Sequence, residues 1–85
     1  MKKHEWREKT DEGQIRLVRV TRLGNLWKLQ SKLKSDDEWT YYPAIPLADL
    51  ETLREIVDNK QRRRRVPYEH LLELDALIEA AKRRQ

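Results

Sequence analysis

The chain has 85 residues, enough for one domain around one core. Charged residues make up 40% and apolar residues 38%, and the absence of cysteine excludes disulfides and thiolate metal sites. A formal net charge of +4 favours polyanionic partners without naming one.

The chain changes character near Pro46. Before it, Trp, Tyr, Val, Ile and Thr alternate with polar residues in short pieces, which predicts strands. After it, leucines recur at helical spacing among Glu, Asp, Arg and Ala. A first strand is predicted over 3–9, ending in the turn Thr10-Asp11-Glu12-Gly13. A second covers 14–23, and Gly24-Asn25 marks a two-residue hairpin because glycine supplies the positive φ of a primed turn. A third covers 26–34, Ser35-Asp36-Asp37 forms the next turn, and a fourth covers 38–42 before Pro43 and Pro46 bar further pairing. A first helix is predicted over 47–63, with Leu47, Leu50, Leu53, Ile56 and Val57 on one face. A second starts with Pro67 at its first position and carries Tyr68, Leu71, Leu72, Leu74, Leu77, Ile78 and Ala81 on its apolar side. The expected fold is therefore α+β: a single domain over 1–85, with a four-stranded antiparallel β-meander (1–46) followed by two α-helices (47–85) packed on one sheet face.

The two-residue turn sets the register of the central hairpin. Leu23 faces Leu26, Val20 faces Leu29 and Val18 faces Ser31. Trp27, Leu29 and Leu33 then share a face with Val18 and Val20, a core face, while Arg19, Thr21, Lys28, Gln30 and Lys32 lie on the other. The apolar set of the second strand changes parity between Leu17 and Val18. A β-bulge there would keep Ile15 and Leu17 inward and turn Arg16 outward beside Arg19. Residues 14–34 include Arg16, Arg19, Arg22, Lys28, Lys32 and Lys34 and no acidic residue, a segment charge of +6. Like charges directly across a ladder repel, so a polyanion would relieve an unmixed basic face; cations that merely blunt exposed sheet surface are the plainer explanation. Trp39 and Tyr41 share one face of the fourth strand, and Thr40 and Tyr42 the other. Whichever pair joins the basic face brings an aromatic that can stack on unpaired bases.

Arg62-Arg63-Arg64-Arg65 is explained by its position at a helix end, where positive charge complements the macrodipole, and its alternative role is to grip phosphate. His4 and His70 are the only histidines, too few for a metal site, and no serine-histidine-acid set or glycine-rich phosphate loop is evident. No enzyme, cofactor or metal is expected. No apolar run approaches the roughly 20 residues of a transmembrane helix, and the first residues lack the apolar core of a signal peptide, so a cytoplasmic protein without a membrane partner is expected.

The segment from Ala44 through Ile45-Pro46-Leu47 to Leu50, Leu53, Ile56 and Val57 resembles the positive-cofactor-four family of transcriptional coactivators and its bacterial relatives, over roughly 4–60. In that family a last strand passes through an Ile-x-Leu element into a helix with this leucine spacing. The resemblance implies single-stranded DNA binding by a dimer through basic and aromatic residues on the sheet, which here would be Arg19, Lys28, Lys32 and Trp39 or Tyr41. The family's glycine-lysine stretch before the helix is replaced by Tyr41-Tyr42-Pro43-Ala44, and the second helix is extra.

The combined expectation is a small nucleic-acid-binding module, single-stranded DNA or RNA preferred. It would use Arg16, Arg19, Lys28, Gln30, Lys32, Trp39 and Tyr41, joined by Arg62 and Arg63. The alternative is a protein-interaction or homodimerisation module using Leu71, Leu74 and Ile78 on the apolar stripe of the second helix.

Overall fold

The computed structural model describes residues 2–84. Four antiparallel strands form one sheet and are followed by two helices, an α+β fold. The chain divides into two compact units between Ala44 and Ile45.

The first unit holds β1 (Lys2–Lys9), β2 (Ile15–Leu23), β3 (Leu26–Leu33) and β4 (Thr40–Tyr41), in sequential order across the sheet. Two tight turns make this meander possible. At the β1–β2 turn the Gly13 amide donates to the Thr10 carbonyl at 2.9 Å, and the Gln14 amide donates to Thr10 Oγ1 at 3.1 Å. Gly24 closes β2–β3 with φ 64°, the positive value a type II′ turn requires at its first central residue. The register follows as expected: Leu23 opposes Leu26, Val20 opposes Leu29 and Val18 opposes Ser31.

Cross-strand partners share a face, so the register sorts every strand residue. One face carries Val18, Val20, Trp27 and Leu29, all buried, together with buried His4 and Ser31. Burial of side chains of this size contributes roughly 1.5–3 kcal/mol each for the larger apolar ones. The His4 ring stacks on Trp27 at 6.0 Å. Tyr42 belongs to this side as well, since its hydroxyl lies 2.9 Å from Ser31 Oγ.

The β-bulge expected between Leu17 and Val18 does not form. The β2 ladder runs one residue against one along both neighbours, from Ile15 opposite Lys9 to Leu23 opposite Leu26. Arg16 consequently lies on the same face as Val18, where it pairs with Glu8, while Ile15 and Leu17 sit half-buried on the opposite, basic face. A bulge would have left one residue unpaired in the ladder. Because Glu8 sits opposite Arg16, the ladder remains continuous without leaving that cation unmatched. The fourth strand is also shorter than 38–42. The turn after β3 is held by Asp36, whose carboxylate accepts from the Leu33 amide at 3.2 Å, and regular pairing resumes only at Thr40.

The second unit pairs α1 (Leu47–Arg62) with α2 (Glu69–Arg83), which pack against each other. Leu50, Leu53 and Val57 form the buried stripe of α1, and Leu71, Leu74, Ile78 and Ala81 that of α2. Arg54 Nε donates to Asp75 Oδ1 at 2.5 Å between the two helices. Helix α1 ends one residue earlier than expected, in a Schellman motif: the Arg64 amide donates to Gln61 and the Arg65 amide to Lys60, both at 2.8 Å. Arg64 takes the left-handed position with φ 58°, where glycine is usual. Pro67 is not the first residue of α2. Tyr68 caps the helix, and the His70 amide donates back to the Pro67 carbonyl at 3.2 Å, so the proline precedes the cap and closes a tight entry turn. Among the described residues no helix is long and apolar enough to cross a membrane.

Candidate nucleic-acid interface

The sheet face opposite Val18 and Val20 is built in cross-strand rows. The middle row runs Glu5, Arg19, Gln30, Tyr41 across all four strands. On one side of it lie Lys3, Thr21 and Lys28. On the other lie Arg7, Leu17 and Lys32. With Lys9 at the far end of β1, the strand cations of this face are Lys3, Arg7, Lys9, Arg19, Lys28 and Lys32, against a single strand carboxylate, Glu5. A face this unbalanced repels itself and attracts polyanions.

Trp39 completes the face from just before β4. Its ring lies 4.7 Å from the Arg19 guanidinium and 5.5 Å from Lys32 Nζ. Since Arg19 is on β2 and β3 lies between, the indole leans across the sheet. Both contacts are of cation–π type, worth about 0.5–1 kcal/mol each at exposed sites. They orient the ring on the basic surface. Tyr41 is 71% exposed on the same face. Of the two residue pairs left open by alternation, Trp39 and Tyr41 lie on the basic side, and Tyr42 of the other pair lies on the buried side.

Between β1, β2 and Trp39 the face dips into a depression of about 450 Å3, lined by Glu5, Arg7, Leu17, Arg19 and Trp39 together with Trp6 and Val18 of the same strands. Arg19 approaches Glu5 at 3.6 Å through Nη2, a loose pair with the Glu5 side chain 55% exposed. Its Nε is shielded from solvent and makes no hydrogen bond. A shielded donor without a partner costs free energy.

Five of the residues expected on this surface, Arg19, Lys28, Gln30, Lys32 and Tyr41, are brought together on it by the ladders, and Trp39 joins them by ring contact. Arg16 is not, for the reason of register given above. Arg62 and Arg63 belong to the helical unit: Arg62 pairs with Asp58 at 3.1 Å one turn back, and Arg63 is the C-cap of α1. The residues expected to meet a partner chain, Leu71, Leu74 and Ile78, are buried within this one, whereas Tyr68 and Leu72 are exposed. The β1 residues Lys3, Glu5 and Arg7 and the floor residue Leu17 were not anticipated as part of the surface. Their alternation along β1 and β2 was the available signal. Among the described residues no group of acidic, histidine or cysteine side chains could hold a metal ion. Comparison of the chain with family models, curated proteins and solved structures yields no match.

Proposed function

We propose that this chain is a single-stranded nucleic-acid-binding module that holds its ligand on the basic face of the sheet. The observation that carries the reading is Trp39, laid against Arg19 and Lys32 on a face with only one strand carboxylate. Phosphates would be held by Arg7, Lys28 and Lys32, and a base would stack on Trp39 or Tyr41. Stacking on an aromatic requires a base freed from its pair, which is why a single strand suits this surface better than a duplex. The resemblance to the positive-cofactor-four family points to the same sheet residues. Binding is the whole of the proposed activity.

The test is fluorescence anisotropy of a labelled single-stranded oligonucleotide at two salt concentrations. Affinity should fall with a log–log salt slope of about −0.7 per phosphate contacted, because binding releases condensed cations. Replacing Arg19, Lys28 and Lys32 together with glutamate should abolish binding with the circular dichroism spectrum retained. No binding at low salt would reject the reading.

A second reading is self-association through Tyr68 and Leu72, exposed apolar side chains one helical turn apart. Light scattering after size exclusion tests it, and a monomer at all concentrations removes it.

A further inference from the structure

Resting on the nucleic-acid reading, we infer that the depression beside Trp39 is a base-reading pocket selective for guanine. Glu5 is the observation that leads there. A carboxylate on a face that gathers phosphates weakens polyanion binding unless it has a task of its own. Charge balance for Arg19 is a poor account of it, because the contact is 3.6 Å and more than half of the Glu5 side chain stays in solvent. The Glu5 carboxylate is thus open to further donors.

The lining of the depression has the pattern of one base edge. Arg19 offers donors through its part-exposed guanidinium, whose Nη2 already points toward Glu5. Glu5, its direct cross-strand neighbour, offers acceptors. Guanine presents the complement along its base-pairing edge: the O6 acceptor, then the N1–H and the N2 amino group, two adjacent donors. A carboxylate accepts from both of those donors at once, and the arginine donates to O6. Uracil and thymine flank their single N–H with two carbonyl oxygens, one of which a carboxylate would face and repel. Adenine and cytosine each give the carboxylate only their amino group on that edge. Trp39 supplies a wall of aromatic surface, which a two-ring purine covers best, and Leu17 an apolar floor. The backbone phosphate of the bound nucleotide would lie toward Arg7, the remaining cation of the lining.

The experiment compares three labelled single strands of about a dozen nucleotides, long enough to cover a small binding sheet: oligothymidylate, alternating thymidine–guanosine, and the same strand with inosine for guanosine. Inosine keeps O6 and N1–H and lacks the N2 amino group. Wild-type protein should bind the guanosine strand roughly tenfold tighter than oligothymidylate, the discrimination expected of one good bidentate contact. The inosine strand should fall between them. Glu5→Gln should erase the difference while binding oligothymidylate at least as well as wild type does, since a negative charge has left a phosphate-binding face. Equal wild-type affinity for all three strands would overturn the inference and leave the binding function standing, as would a guanosine preference undiminished in Glu5→Gln. Failure to bind any strand at low salt would reject the underlying function together with it.

Discussion

Replacing Arg64 with glycine should stabilise the protein. Arg64 occupies the left-handed position of the Schellman motif that ends α1, with φ 58°. A side chain with a Cβ is disfavoured in that conformation by roughly 1–2 kcal/mol, because the Cβ crowds the following carbonyl. Glycine removes the clash but is freer in the unfolded chain, which returns about 0.5–1 kcal/mol of the gain. The net expectation is a stabilisation of about 0.5–1 kcal/mol, or an upward shift of about 2–8 °C in Tm for a chain of this size. Arg64 also sits among exposed Arg62, Arg63 and Arg65, so removing its charge relieves repulsion whatever happens to the backbone. Arg64→Ala separates the two effects, since alanine removes the charge and keeps the Cβ. Thermal and urea unfolding of wild type, Arg64→Gly and Arg64→Ala, followed by circular dichroism, would decide. Glycine should exceed alanine by most of the net gain. If the two variants match, backbone strain at residue 64 has no part in the effect.

Trp39→Ala should weaken oligonucleotide binding by about 1–3 kcal/mol, the value of one base–aromatic stack, while Trp39→Phe should keep most of the affinity; loss of the same size in both variants, measured by anisotropy, would assign Trp39 a role other than stacking. Arg54 and Asp75 should show a coupling of at most about 1 kcal/mol in a double-mutant cycle, because both side chains are over 40% exposed and solvent screens the pair. The hydrogen bond from Arg54 to Asp75 and the charge of Asp75 raise the Arg54 pKa above its ordinary value. A raised pKa on a cation gives stability that is complete below the unfolded value and is lost only as pH climbs through the folded one. The arginine side of this coupling should therefore be flat between about pH 7 and pH 10, and a coupling that decays across that range in urea titrations would contradict the assignment.

The central hairpin was readable because one dipeptide settles its geometry. Gly24-Asn25 allows only a two-residue loop, and from that loop the pairing of β2 with β3 follows to its end. The misreading of Arg16 came from treating apolarity as sufficient to orient a side chain. Ile15 and Leu17 stay half-buried on the basic face, and the ladder remains continuous, with Glu8 across from Arg16 to receive the displaced cation. Glu8 could be weighed only with the β1–β2 register in hand. That register depends on a longer turn pinned by Thr10 Oγ1, whose geometry residue types alone do not specify. The same gap hid Glu5 and Arg7 from the expected surface. Strand alternation reduced the aromatic question to two pairs. Choosing between them required the β3–β4 register, which passes through the irregular turn held by Asp36. On α2, the apolar stripe was legible but its exposure was not: α1 brings a stripe of its own, and Leu71, Leu74 and Ile78 are enclosed within the chain.

The sequential strand order has a consequence for how quickly the protein reaches this structure. Each strand pairs only with its neighbour in the chain, and α1 packs on the helix that follows it. Few distant segments must find one another, so little loop-closure entropy is lost before contacts begin to repay it. The β2–β3 hairpin needs the smallest closure and holds Val20 directly opposite Leu29, which makes it the natural nucleus onto which β1 and β4 zip from either side. Mutations at Val20 or Leu29 should slow refolding, whereas changes at Thr40 on the short outer strand should mainly hasten unfolding.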